Sequence, residues 1–197
     1  MSRPSIENID EKIVASTIEL GGAKDPNVDF STRAIASVSG CSEFLIFSHF
    51  GSKRNLLEKA DVFIYSAITD EIEMVEAKKL PLREYLLVLL AWFVDHPSYT
   101  LFALRYGHGL PHPNPISYDN HAYDSFRMRL FATGYHWFHS SPREERLFFL
   151  VYAMNQLVFD ASYLIYGSHQ DTLEHREILI FELISGLDSF QKEEAGV

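Results

Sequence analysis

A single cysteine, Cys41, is present in 197 residues. That excludes an intramolecular disulfide framework and a cysteine-rich metal site, and Cys41 reads as a small buried hydrophobe. Long apolar runs are missing too. "YLLVLLAWFV" (85–94) is closed off by Glu84 and Asp95, short of the roughly 20 residues that span a bilayer. The opening "MSRPSIENIDEK" has neither the basic region nor the apolar core of an export signal. A cytoplasmic chain with no membrane partner is the expectation. Bases are scarce: 17 Lys and Arg stand against 27 Asp and Glu, a formal charge of −10. Because non-specific nucleic-acid affinity comes mainly from Lys and Arg neutralising phosphates, this charge argues against a generic polyanion binder. The acidity is uneven, however. Residues 1–60 hold seven bases and eight acids, and the remainder holds 10 bases and 19 acids.

Catalytic signatures are also absent. There is no HExxH, no GxSxG elbow, no P-loop and no GxGxxG turn, so metalloprotease, hydrolase, kinase and dinucleotide-enzyme readings have no residues to rest on. No catalytic residue, no cofactor and no enzyme activity are expected. The His108/His112 and His136/His139 pairs lack the third ligand and carboxylate support that zinc requires, so no metal site is expected either.

What is present is helical periodicity, without the alternating runs of strands. Ile6, Ile9, Ile13, Thr17 and Leu20 mark one face of a first helix that stops at Gly21-Gly22, and "AKDPNVD" follows as a loop. Ser31 is placed to cap a second helix through Val38, Ser42 a third through about residue 49, and Ser52 a long fourth to about residue 79. Further helices are expected over 82–95, 97–106, 119–139, from "SSPREE" to 166, and over 172–191. "GHGLPHPNPISY" (107–118) cannot sustain a helix. The expectation is an all-α chain of about nine helices, with a small unit (1–51) joined by a long helix to a larger one (52–197).

Ala36, Gly40 and Ile46 have the spacing of a helix-turn-helix. A small residue lets two helices cross, a glycine takes the turn, and a bulky aliphatic six residues later packs the second helix onto the first. Cys41 and Phe50 close the same core. The stretch "STRAIASVSGCSEFLIFSHFGSKRNLL" (31–57) resembles the DNA-binding head of the tetracycline-repressor (TetR) family. The matching positions are Ser31, Arg33, Ile35, Ala36, Gly40, Ser42, Ile46, Phe47, His49, Phe50, Lys53 and Leu56. Phe44 and Leu45 depart from that pattern, which has small residues there, and Phe47 lacks the hydroxyl of the usual tyrosine.

The resemblance implies a DNA-binding regulator, usually a repressor, that binds a palindromic operator as a homodimer. By position, Ser31 and Arg33 would meet phosphates or groove edges, Phe47 and His49 would lie against the DNA backbone, Lys53 would hold another phosphate, and Glu43, Phe44, Leu45 and Ser48 would face the bases, with Ser42 counted among the DNA-binding residues. Two physical readings of the unusual helix stay open. Phe44 and Leu45 can pack on thymine methyl groups while Glu43 accepts a bond from cytosine N4. Alternatively, the exposed apolar residues form a protein contact. His49 is equally a packed histidine beneath the turn.

The body is rich in aromatics at helical spacing, which is commonly plain core. Phe63, Trp92, Phe93, Tyr99, Phe102, Tyr106, His108, Tyr123, Phe126 and Trp137 are nonetheless candidates for lining an apolar pocket with a few polar anchors. The resemblance assigns such a pocket to a small-molecule ligand. Two long apolar faces, Leu147 to Ala161 and Ile178 to Phe190, divide between internal core and a homodimer contact through about 143–166 and 172–191.

Overall fold

The computed structural model describes residues 6–76, 80–106, 143–167 and 172–194. They form eight α-helices: α1 (Ile6–Gly21), α2 (Thr32–Ser39), α3 (Glu43–Phe50), α4 (Lys53–Glu76), α5 (Leu82–Asp95), α6 (Pro97–Tyr106), α7 (Arg143–Tyr166) and α8 (Leu173–Glu194). Among the described residues there is no strand. The helix expected over 119–139 and the proline-rich connection before it lie outside them.

Local chemistry sets the helix ends. Ser31 Oγ accepts from Ala34 N at 3.1 Å, Ser42 Oγ from Leu45 N at 3.2 Å, and Ser52 Oγ from Asn55 N at 3.1 Å. Each serine thereby satisfies an amide that the first helical turn leaves unpaired. Gly40 ends α2 in the left-handed region, φ 71° and ψ 31°, and its N–H bonds back to Ala36 O and Ser37 O. Cys41 N reaches Ala36 O at 2.9 Å. A side chain at Gly40 would carry the left-handed backbone penalty, which is why the turn falls there.

A continuous apolar core runs through every described helix. Ile13 and Ile18 of α1, Ile35 of α2, Ile46 of α3, Leu56 and Ile64 of α4, Leu89 and Phe93 of α5, Phe102 of α6, Leu157 of α7 and Ile180 of α8 are all buried in it. Helix α1 packs on α2, α4 and α6, while α5 packs on α7 and α8. Arg83 of α5 also pairs with Glu177 of α8 at 2.8 Å.

The junction between the first three helices and the rest is tight because of two glycines. A Cβ on Gly21 would meet the Phe102 and Phe30 rings at 2.8 Å, and one on Gly22 would stand 1.8 Å from Ser98 O. Arg105 of α6 donates to the carbonyls of Gly21 (2.9 Å) and Ala23 (2.8 Å), and it also bonds the Tyr166 hydroxyl of α7. The cation thus satisfies carbonyls left over at the C-terminus of α1 and complements its dipole.

Helix α8 has two apolar faces. Ile180 and Leu183 face the core, whereas Ile178 and Phe181 are exposed, and on α7 Phe159, Tyr163 and Tyr166 are exposed as well. The face expected to run as one stripe from Ile178 to Phe190 is therefore split, Ile184 packing partly against the core. No single helix among the described residues is long and apolar enough to cross a membrane.

Asp160 of α7 is buried and accepts from Gln156 Nε2 at 2.8 Å. Burial pushes its carboxyl above the usual carboxylate range; the Gln156 bond opposes the shift and Glu182 adds to it. The folded chain therefore holds this proton more tightly than the unfolded chain. The site's contribution to stability is full below the ordinary carboxylate pKa and is lost as pH rises through the raised folded value. Asp160→Asn keeps an acceptor for Gln156 and removes the buried charge. It should raise the melting temperature at neutral pH, with the gain vanishing below about pH 4. Identical thermal melts at neutral pH would contradict a charged, desolvated Asp160.

Candidate nucleic-acid interface

Helices α2 and α3 meet where Ala36 is nearly buried and Ile46 is fully buried. Their crossing leaves one side of α3 toward solvent. Phe44 is 79% exposed and Phe47 46%; with Ser48, also exposed, they lie three and four residues apart and so share a face. Leu45 is half-buried. Arg33 on α2 is exposed.

Several side chains expected to meet DNA have partners within the protein. Glu43 Oε2 accepts from Thr32 Oγ1 at 2.7 Å, which ties the first residue of α3 to the first residue of α2. His49 Nδ1 lies 2.5 Å from Asp10 Oδ1 of α1, which anchors the histidine to α1 with its side chain 20% exposed. Ser31 and Ser42 spend their oxygens on caps, and Ser31 Oγ also donates to Asp29 Oδ2 at 3.1 Å. Lys53 donates to the Phe30 carbonyl and sits 4.1 Å over the centre of the Phe30 ring. Burial there pulls its ammonium below the usual lysine value, and Asp29 opposes the shift.

Thr32, Asp10, Asp29 and Phe30 are the residues that sequence reasoning missed. Ser31-Thr32 carries two hydroxyls at a helix start, and that was the one local signal available for Thr32. Nothing local marks Phe30. It joins Lys53 to the larger set of helices, since its ring lies 5.0 Å from Tyr106 and Tyr106 lies 5.3 Å from Phe102.

This arrangement has counterparts among solved structures. A TetR-family transcriptional regulator from Streptomyces coelicolor superposes with a TM-score of 0.63 at 17% identity, covering 98% of this chain and 87% of that one. A TetR-like transcriptional regulator from Rhodococcus sp. RHA1 superposes with a TM-score of 0.62 at 15% identity, covering 94% and 99%. The chain has the TetR-family fold. No protein-family model matches the sequence, and neither does any curated protein. At these identities the likeness lies in the backbone, and the roles of individual side chains rest on their own geometry.

Within the TetR fold, the candidate pocket residues do not all line one place, although Phe93 meets Trp92 edge-on at 5.4 Å. Phe63, Trp92 and Tyr99 come together with His96. Trp92 stacks on His96 at 4.4 Å, Phe63 meets Tyr99 edge-on at 6.3 Å, and Trp92 meets Tyr99 at 6.0 Å. Phe93 and Phe102 are fully buried core side chains, and Phe102 and Tyr106 face the α1–α6 junction. His108, Tyr123, Phe126 and Trp137 lie outside the described residues. Among the described residues no three metal-ligating side chains converge.

Proposed function

We propose that the chain is a DNA-binding transcriptional regulator, a repressor, that binds a palindromic operator as a homodimer and is controlled by a small-molecule ligand. The observation that carries this reading is α3, serine-capped and set on α2 by Gly40 and Ile46, with Phe44, Phe47 and Ser48 turned outward in a TetR-type frame. In that frame residues 1–51 bind DNA and residues 52–197 bind ligand and dimerise. The exposed stripes on α7 (Phe159, Tyr163, Tyr166) and α8 (Ile178, Phe181) supply the two-fold contact. Paired heads then stand about 34–36 Å apart, one turn of the duplex. The Phe63–Trp92–His96–Tyr99 cluster of α4, α5 and α6 offers apolar rings with polar groups on Trp92, His96 and Tyr99, the composition of a small-molecule site, and is open to solvent at Phe63 and His96. Its proximity to α4 gives ligand a route to the head. Coupling of this kind is usually worth about 1–3 kcal/mol.

A mobility-shift assay against duplexes from the DNA flanking the chain's own coding region, run over a salt series, tests the reading, with sedimentation mass reporting the dimer. Salt-independent retention, or none, would end it. The same exposed apolar residues of α3 favour a second reading, a TetR-type protein whose α3 contacts another protein. Binding insensitive to both DNA and salt would support that one.

Lys53 has a defined expectation. One of the three donors of its ammonium goes to the Phe30 carbonyl, which leaves two for a phosphate. Lys53→Ala should weaken binding to all sequences nearly equally and reduce the salt slope by about one. A loss confined to one base pair would contradict a backbone role.

A further inference from the structure

We propose that α3 selects its operator through a thymine methyl group: Phe44 packs on the C5-methyl of one thymine in each half-site, and Glu43 reads no base. This rests on the regulator reading above and names what that surface recognises.

Most polar side chains at α3 already hold a partner within the protein through one of their atoms. Ser42 Oγ caps the helix, Glu43 Oε2 is held by the Thr32 hydroxyl at 2.7 Å, and His49 Nδ1 is 2.5 Å from Asp10. Ile46 is wholly buried. Glu43 is half-buried, and a carboxyl side chain gains nothing by approaching phosphates. Ser48 is exposed, but a serine hydroxyl bonds to more than one kind of base edge and discriminates little. Selectivity therefore falls to the apolar surface, and Phe44 dominates it at 79% exposure in the first turn. The first turn of a recognition helix is the part that reaches base edges. The major groove offers one apolar feature to such a ring, the methyl group of thymine.

The test uses the full chain and a palindrome selected by it from a random duplex pool. Each thymine of the half-site is replaced in turn by deoxyuridine, which removes the methyl and leaves every hydrogen bond. At one thymine position, replacement in a single half-site should weaken binding about fourfold and replacement in both half-sites about 15-fold, as expected for losing one buried carbon per subunit. Phe44→Ala, at an exposed site, should melt like the parent chain and bind thymine and uracil duplexes equally. Glu43→Gln should keep the thymine preference. If no duplex is selected, both readings fall. If duplexes are selected but binding ignores every uracil replacement, or if Phe44→Ala keeps the preference, the methyl readout falls and the regulator reading stands.

Discussion

Gly22→Ala is expected to lower the melting temperature by roughly 6–12 °C, from a loss of about 3 kcal/mol at 2–4 °C per kcal/mol. The added methyl would lie 1.8 Å from Ser98 O and 2.6 Å from Ser98 C. Overpacking commonly costs about 1–3 kcal/mol, because a side chain can move aside. Here the obstacle is backbone at the start of α6, so relief requires α1 and α6 to separate. That separation would also strain the Arg105 bonds to Gly21 O and Ala23 O and the Phe30–Tyr106 ring contact. Circular dichroism melts report the loss, and a melt within 1–2 °C of the parent, under about 1 kcal/mol on that scale, would show that the two helices do not meet there.

The second large effect belongs to the helix-turn-helix. Ile46→Ala removes a side chain with no solvent exposure at the α2–α3 crossing. Truncating a buried isoleucine costs about 2–5 kcal/mol, the spread depending on how far the site collapses. Little collapse is available, because Ala36 is already small and Gly40 holds the turn in a fixed left-handed conformation. Denaturant unfolding should show the drop, and the mobility shift should be lost with it. Phe44→Ala, two residues earlier but exposed, should leave unfolding unchanged. If the two variants destabilise alike, the assignment of inner and outer faces of α3 is wrong.

The opposite behaviour of these two neighbours marks how far sequence reasoning reaches. That Ile46 points in and Phe44 out follows from helical periodicity once Gly40 fixes the turn. What Glu43 does cannot be read that way. Beside Phe44 it reads as a candidate base reader, and the bond it accepts from the Thr32 hydroxyl follows only from how α2 and α3 pack. Lys53 is similar. Its position at the start of α4 was legible, but its bond to the Phe30 carbonyl depends on a loop residue 23 positions away. Phe102 and Tyr106 belong to the same aromatic-rich stretch as Trp92 and Tyr99, yet one pair closes the α1–α6 junction and the other sits with Phe63 and His96.

The sequence by itself determined the all-helical class, the serine caps, the Gly40 turn and the bounds of α5 and α6, which fall where His96 and Pro97 interrupt the run. These depend on φ preferences and on hydrogen bonds spanning a few residues, so each is written in its own neighbourhood. Tertiary structure alone decided that His49 pairs with Asp10, that Arg105 clamps the end of α1, and that α8 carries an inward and an outward apolar face. Those outcomes turn on which helix packs against which. The partners stand 39 and 84 residues apart for the first two, and no local pattern encodes a neighbour at that distance.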